Sequence, residues 1–394
     1  IDMFPERFSN LPAYAFPRLR ALLDHHPAGG ETVHMTIGEP KHPFPTWVGE
    51  ELAAHIKGFN SYPPNDGSEA LLTAISGWLK SRFSITAAAD TQILALNGTR
   101  EGLYNACMAL VPEKVQGDTP NILMPNPFYQ VYAVGAASVG ARPIFANATE
   151  STSFLPDFSG LPTDILKKTA AAFICSPSNP QGAIASRAYL RELIALAEQF
   201  DFQIFADECY SEIYRNDPPP SALDVATEMG AHPERVVIFH SLSKRSNLPG
   251  LRSGFVAGGP QTIARLKQLR NYAGAPLPTP LQAVAARVWA DEEHVIENRK
   301  LYQEKYTIAD KVMADFDGYQ GPEGGFFLWL PVEDGETAAL KLWRETGVRV
   351  LPGAYLSRDA EGRNPGQNYI RVAMVAPKEE MQQGLLRLKS CLQS

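Results

Sequence analysis

The chain has 394 residues, 44% of them hydrophobic and 20% charged, with a formal net charge of −7. That length exceeds what one ordinary core organises and predicts more than one structural unit. The acidic balance excludes a global field for nucleic acid or anionic lipid, so any anion site has to be local, and neither is expected as a partner.

The stretch "EALLTAISGWLKSRF" (69–83) carries Leu71, Leu72, Ile75, Trp78 and Leu79 on one helical stripe. "QILALN" followed by "GTREGLYNACMAL" predicts a strand, a glycine turn and a helix. "AAAFIC" (170–175), "FQIFA" (202–206) and "VVIFH" (236–240) have the continuous apolar character of buried parallel strands. Between the first two, "RAYLRELIALAEQF" repeats Leu190, Leu193, Ile194, Ala197 and Phe200 at helical steps. Strand–helix alternation of this kind predicts an α/β domain with a mostly parallel sheet and helices on both faces. Past the Pro-rich "AGAPLPTP" the texture changes. "GGFFLWLPV" (324–332), "VRVL" (348–351) and "YIRVAMV" (369–375) read as strands among helical patterns at 281–315, 336–346 and 378–392. The expected organisation is an N-terminal segment, 1–45, packing with a smaller α+β domain, 276–394, around a large domain, 46–275.

Cys107, Cys175, Cys209 and Cys391 form no CxxC pair. They argue against a disulfide framework or a structural metal and for a cytoplasmic setting. "IDMFPERFSN" has no apolar h-region, and no apolar run is long enough to span a membrane.

Ligands of α/β sheets collect outside the carboxyl ends of the strands, where four motifs fall. In "NGTREG", Gly98 permits a sharp turn, and the Thr99 and Arg100 amides open a helix that suits a phosphate. Alone, the same residues describe a strand-to-helix turn with Thr99 as its cap. In "SPSNPQG" two prolines stiffen a loop that presents Asn179 as a donor, or simply make a turn. In "ADECYSEIY", Asp207 leaves the core as a carboxylate in need of a cationic partner, with the Tyr210 phenol three residues on. In "SLSKRSNLPGLRSGF", Ser241, Ser243 and Arg252 offer hydroxyls and a guanidinium for phosphate, beside a lysine, Lys244, able to act as a nucleophile when buried. A solvated basic loop is the plain alternative. One ligand answering all four motifs needs a phosphate, a phenolic oxygen, a basic ring nitrogen and an electrophilic carbon. Pyridoxal 5′-phosphate has them.

At these residues the sequence resembles the fold-type I, class I/II pyridoxal-phosphate aminotransferases over essentially its whole length. The order Asn179, Asp207, Tyr210, Lys244, Arg252, Arg371 follows the family pattern. The resemblance implies that Lys244 holds the cofactor covalently and shuttles the proton, and that Asp207 keeps the ring nitrogen protonated. It implies that Asn179 and Tyr210 bond the ring's 3′ oxygen, and that Tyr129, in "PNPFYQ", stacks on the ring. It further implies that Arg371 grips the substrate α-carboxylate near Gly38, where a buried structural ion pair is the alternative. Tyr62, in "YPPNDG", matches a tyrosine donated to the neighbouring subunit's phosphate, which implies a homodimer with shared active sites acting on amino and keto acids. "IGEPKHPFP", "ADECYSEIY" and "SLSKRSNLPGLRSGFVAG" look most like the N-succinyldiaminopimelate aminotransferases of lysine and diaminopimelate biosynthesis. Lys41, Arg18 and Arg270 are cations that could meet a distal carboxylate, with exposed surface charge as the alternative for each. Aromatic, aspartate or glutamine aminotransferases and a cysteine-S-conjugate β-lyase would need nearly the same residues. A non-catalytic sensor domain would carry a DNA-binding helix-turn-helix, and none is read in residues 1–45. A nicotinamide site would need a GxGxxG after a strand, which is missing.

Overall fold

The computed structural model describes residues 3–393. The first half runs α1 (Ala15–Leu23), β1 (Val33–His34), α2 (Val48–Ala54), α3 (Glu69–Phe83), β2 (Ile93–Leu96), α4 (Thr99–Leu110), β3 (Asn121–Asn126), α5 (Gln130–Ser138), β4 (Arg142–Asn147), α6 (Thr163–Leu166), β5 (Thr169–Cys175) and α7 (Arg187–Phe200). It continues through β6 (Gln203–Asp207), α8 (Ala222–Glu228), β7 (Val236–Ser241), α9 (Leu242–Arg245), β8 (Gly254–Ala257), α10 (Pro260–Arg270), α11 (Thr279–Ala290) and α12 (Glu293–Val312). Last come β9 (Phe327–Pro331), α13 (Gly335–Thr346), β10 (Val348–Arg349), β11 (Leu351–Pro352), β12 (Tyr369–Ala373) and α14 (Lys378–Leu392).

Seven strands make the central sheet, in the order β2-β8-β7-β6-β5-β3-β4. β8 is antiparallel to both neighbours and the other pairs are parallel. β7, buried at every position, is apolar from Val236 to Phe239 because helices cover both faces of the sheet. Leu72, Trp78, Leu190, Ile194 and Val225 pack one face from α3, α7 and α8. Leu103, Tyr132 and Ile263 pack the other from α4, α5 and α10. Serine caps start α3 and α7. Ser68 accepts from the Leu71 amide at 3.2 Å and Ser186 from the Tyr189 amide at 3.1 Å. This topology brings β2, β3, β5, β6 and β7 to a common carboxyl edge.

The packing departs from the expected organisation at one place. Residue 276 is expected to open the smaller domain, yet α11 buries Val284, Ala285, Val288 and Trp289 in the core of the large sheet. Trp289 lies 4.9 Å from the Trp78 ring and 5.1 Å from that of Phe255. The Pro-rich stretch is therefore the entry to a helix, and the change of core falls later, along α12. The helical pattern at 281–315 is two helices, separated near Asp291. Arg245, buried beside Lys244, caps α11 by donating to the Val288 carbonyl at 2.9 Å and the Trp289 carbonyl at 3.3 Å.

A second sheet, β11-β12-β9, is antiparallel and packs Leu328 and Val372 against Tyr306 of α12, Leu342 of α13 and Leu385 of α14. "VRVL", expected as one strand, divides in two. β10 pairs in parallel with β1, and β11 pairs with β12. The N-terminal residues join the same side, with Leu19 and Leu23 against Trp343 and Tyr355. Among the described residues, no helix is long and apolar enough to cross a membrane.

If α11 belongs to the large core, Trp289→Ala removes a side chain that is 1% exposed and costs about 3–5 kcal/mol. Urea unfolding followed by tryptophan-independent circular dichroism measures this; a loss under 1 kcal/mol would detach α11 from that core.

Candidate active site

The phosphate-like end is built where β2 meets α4. Gly98 has φ 83°, a conformation that favours glycine, and a Cβ there would stand 2.3 Å from Arg252 Nη2 and displace that guanidinium. No side chain caps the first turn of α4, which leaves its amides open. Arg252, itself left-handed at φ 59°, donates to the Pro249 carbonyl at 2.8 Å and the Asn97 carbonyl at 3.2 Å. No carboxylate pairs with it among the described residues. Ser241 caps α9 by accepting from the Ser243 amide, and the two hydroxyls are 3.0 Å apart. The Thr99 hydroxyl lies 3.1 Å from Cys209 Sγ. Arg100 Nε donates to the Tyr129 hydroxyl at 3.1 Å, which turns that cation toward the aromatic wall.

Asp207 ends β6 in register with Cys175 of β5. It is buried with no cationic partner within ion-pair distance among the described residues, and desolvation pushes its carboxyl above the usual 3.8. The Tyr132 hydroxyl donates to its Oδ2 at 2.6 Å, and the Tyr132 ring is stacked on Phe173 at 4.4 Å. Tyr129 stands edge-on to Tyr132, with centroids 5.7 Å apart. Tyr210 is buried edge-on against Phe326 and Phe327.

Lys244 Nζ donates to the Gly38 carbonyl. Burial lowers its amine from 10.5 to about 8, and the Arg371 and Arg252 charges act in the same direction. Arg371, 5% exposed on β12, donates from Nη1 to Asn179 Oδ1 at 3.0 Å and from Nη2 to the Thr36 carbonyl at 2.8 Å. Its Nε has no partner, and its guanidinium lies 4.1 Å from the Phe327 ring centroid. A structural ion pair is thus ruled out for Arg371 among the described residues. Desolvation lowers even this guanidinium, to about 10. A buried guanidinium whose Nε has no partner is suited to receive an anionic oxygen.

One cavity is lined by Gly38, Thr99, Arg100, Tyr129, Asn179, Asp207, Tyr210, Ser241, Ser243, Lys244, Arg252 and Arg371. Gly98 lies directly behind Arg252. Tyr62 does not join them, and its side chain is fully exposed in the single chain. The three distal cations also fall elsewhere. Arg270 is neither a free cation nor exposed, because Glu101 Oε1 holds it at 2.7 Å and the Ala95 carbonyl at 3.0 Å. Arg18 lies 3.8 Å from the Tyr355 ring centroid, outside the cavity. Lys41 pairs with Glu39 at 2.5 Å, and Glu39 reaches the cavity wall. Sequence reasoning missed Tyr132 and Glu39; the step of three from Tyr129 on one helix face was the available signal for the first.

The family model described as aminotransferase class I and II matches residues 31–388. The chain belongs to this family. An LL-diaminopimelate aminotransferase of Dehalococcoides mccartyi is 30% identical over 394 residues, covering 97% of each chain. A solved aminotransferase from Neisseria meningitidis matches with a TM-score of 0.94 at 36% identity, covering 99% of this chain and 100% of that one. The aminotransferase AspB of Helicobacter pylori matches at 0.90 and 32%, covering 98% and 100%. The fold is that of the fold-type I enzymes, and the family uses pyridoxal phosphate with amino-acid and keto-acid substrates.

The residues present fit that cofactor. A buried carboxylate without a cation suits a protonated ring nitrogen, the open α4 amides with Arg252 suit a phosphate, and a desolvated lysine suits an aldehyde carbon.

Because burial disfavours the ammonium, the Lys244 amine of the cofactor-free protein is expected to titrate near pH 8. A pH series of amine acylation read by mass spectrometry locates the midpoint. A midpoint near 10.5 would mean an ordinary solvated lysine.

Proposed function

We propose that the chain is a succinyldiaminopimelate transaminase. It exchanges the amino group of N-succinyl-LL-2,6-diaminopimelate with 2-oxoglutarate, giving N-succinyl-2-amino-6-oxopimelate and glutamate in two alternating half-reactions. The observation that carries the chemistry is a single cavity holding a buried unpaired arginine, a buried unpaired carboxylate and a lysine with a lowered pKa. The substrate choice is supported by "IGEPKHPFP" and "SLSKRSNLPGLRSGFVAG", and the diaminopimelate skeleton by the names of the relatives. Free LL-diaminopimelate is a second reading, favoured by the 30% identical relative.

The cofactor, when bound, supplies an electrophilic carbon and a ring that withdraws electrons from the substrate α-carbon. Lys244 would hold it covalently, and the same amine would take and return the substrate α-proton. Its lowered pKa leaves a neutral amine within reach of working pH, as a general base requires. Asp207, fixed by Tyr132, keeps the proton on the ring nitrogen. Asn179 and Tyr210 donate to the 3′ oxygen, and Tyr129 covers the ring. Gly98, Thr99, Arg100, Ser241, Ser243 and Arg252 surround the phosphate. Arg371 takes the α-carboxylate bidentately beside Gly38 and Asn179.

We place two chains in a cytoplasmic homodimer with shared active sites, each Tyr62 directed at the neighbouring chain's phosphate. The full exposure of Tyr62 supports the shared site. We divide each chain into an N-terminal segment ending near residue 45, a large domain, and a smaller domain beginning within α12.

Chromatography of glutamate formed from 2-oxoglutarate tests the reading. N-succinyl-LL-diaminopimelate is expected to be the preferred donor; preference for the free diamino acid would establish the second reading, and pyruvate from cystathionine would make the chain a lyase. Lys244→Ala is expected to lose at least ~10² to 10⁴ in rate, the share of acid–base catalysis alone. Arg371→Ala is expected to weaken substrate by about 2–5 kcal/mol, seen in kcat/KM for donor and acceptor alike. Unchanged values would remove either residue from its role.

A further inference from the structure

"IGEPKHPFP" contains a histidine that none of these roles uses. His42 belongs to a hydrogen-bonded cluster centred on Asn298, a residue of α12 that is 4% exposed. Asn298 Oδ1 accepts from Asn247 Nδ2 at 3.1 Å and meets His42 Nδ1 at 2.8 Å. An amide oxygen only accepts, so the His42 proton sits on Nδ1 and both lone pairs of Oδ1 are used. Burial first, then the Lys305 charge, lowers His42 to about 4, which keeps the ring neutral at working pH. The ring lies 4.4 Å from that of Tyr302, one turn along α12. From the other side of the amide, Asn298 Nδ2 donates to the Lys244 carbonyl at 3.4 Å. Asn247 Nδ2 also donates to the Pro43 carbonyl at 3.2 Å.

Residues 38–43 are therefore fastened to the lysine segment at both ends. At the near end the Gly38 carbonyl accepts from Lys244 Nζ, and at the far end Asn298 and Asn247 hold His42 and Pro43. The two fastenings differ in kind. The near one uses the amine itself and is given up whenever that amine bonds to anything else. The far one consists of neutral groups and persists throughout. The charged or titratable groups that face Lys244 include Cys209, Arg371, Glu39, Arg252 and Tyr210, whose ring centroid lies 5.9 Å from Nζ; Glu39 lies within residues 38–43, and none belongs to the cluster around Asn298.

We propose that Asn298 is a positioning residue for Lys244: through His42 and Asn247 it holds residues 38–43 over the lysine and so keeps water from its amine. The inference rests on Lys244 being the reactive amine of the proposed function.

The test uses the cofactor-free protein and the acylation midpoint of Lys244. Loosening residues 38–43 admits water, which restores the ammonium, so Asn298→Ala is expected to raise the midpoint by about one unit from its wild-type value. His42→Ala breaks the same link from residues 38–43 without substituting a residue of α12, and is expected to do the same even if Asn298→Ala folds poorly. Folded variants whose midpoint stays at the wild-type value would overturn the positioning role and leave the function intact. A wild-type midpoint near 10.5 would instead overturn the reading of Lys244 as a desolvated amine, and this inference with it.

Discussion

The site depends on charge that the protein buries and does not neutralise. Asp207 has no cation and Arg371 has no carboxylate within ion-pair distance among the described residues, and Lys244 lies buried in the same cavity. Each costs free energy in the empty fold, because water is removed and no protein partner replaces it. Complementary groups on bound molecules recover that cost, and selectivity follows. A molecule that brings an anion to Arg371 and a protonated ring to Asp207 gains what a neutral one cannot.

The sheet makes such a site affordable. Its core supplies the stability, and β6 and β7 carry their site groups at their carboxyl ends. After Gln203, β6 is apolar until Asp207, and β7 is apolar until His240 and Ser241, with His240 Nε2 held 2.7 Å from Glu208 just past the end of β6. Parallel pairing then brings those ends together without any loop having to cross the core. Arg371 comes from the second sheet, so the two halves of the cavity are set by different cores and joined along α12.

Much of this was legible in the sequence. α3 and α7 matched their apolar stripes, and the parallel strands announced themselves by apolar runs that only double-sided burial permits. The cavity residues were legible because four loops at one sheet edge each offered a group with a single common ligand. What escaped has physical reasons. Tyr132 looks like any core tyrosine, because its hydroxyl finds Asp207 only after α5 packs on the sheet. Arg270 was indistinguishable from a surface cation, since Glu101 lies far away in sequence. α11 carries an apolar stripe that fits either core, and a proline-rich approach does not say which one receives it. Asn298 and His42 are far apart along the chain, and no local pattern joins them.

Arg245 gives the arrangement a further property. Its guanidinium caps α11 while the residue before it is the cavity's lysine. Fraying the end of α11 would leave a buried guanidinium without its acceptors, and moving the lysine segment would leave the helix uncapped. Neither can open alone at small cost. In the language of subglobal unfolding, the lysine belongs to the same cooperative unit as the most deeply packed aromatic cluster of the large sheet, although it faces a solvent-accessible cavity. Local opening that displaces the lysine segment therefore has to disturb the end of α11 as well.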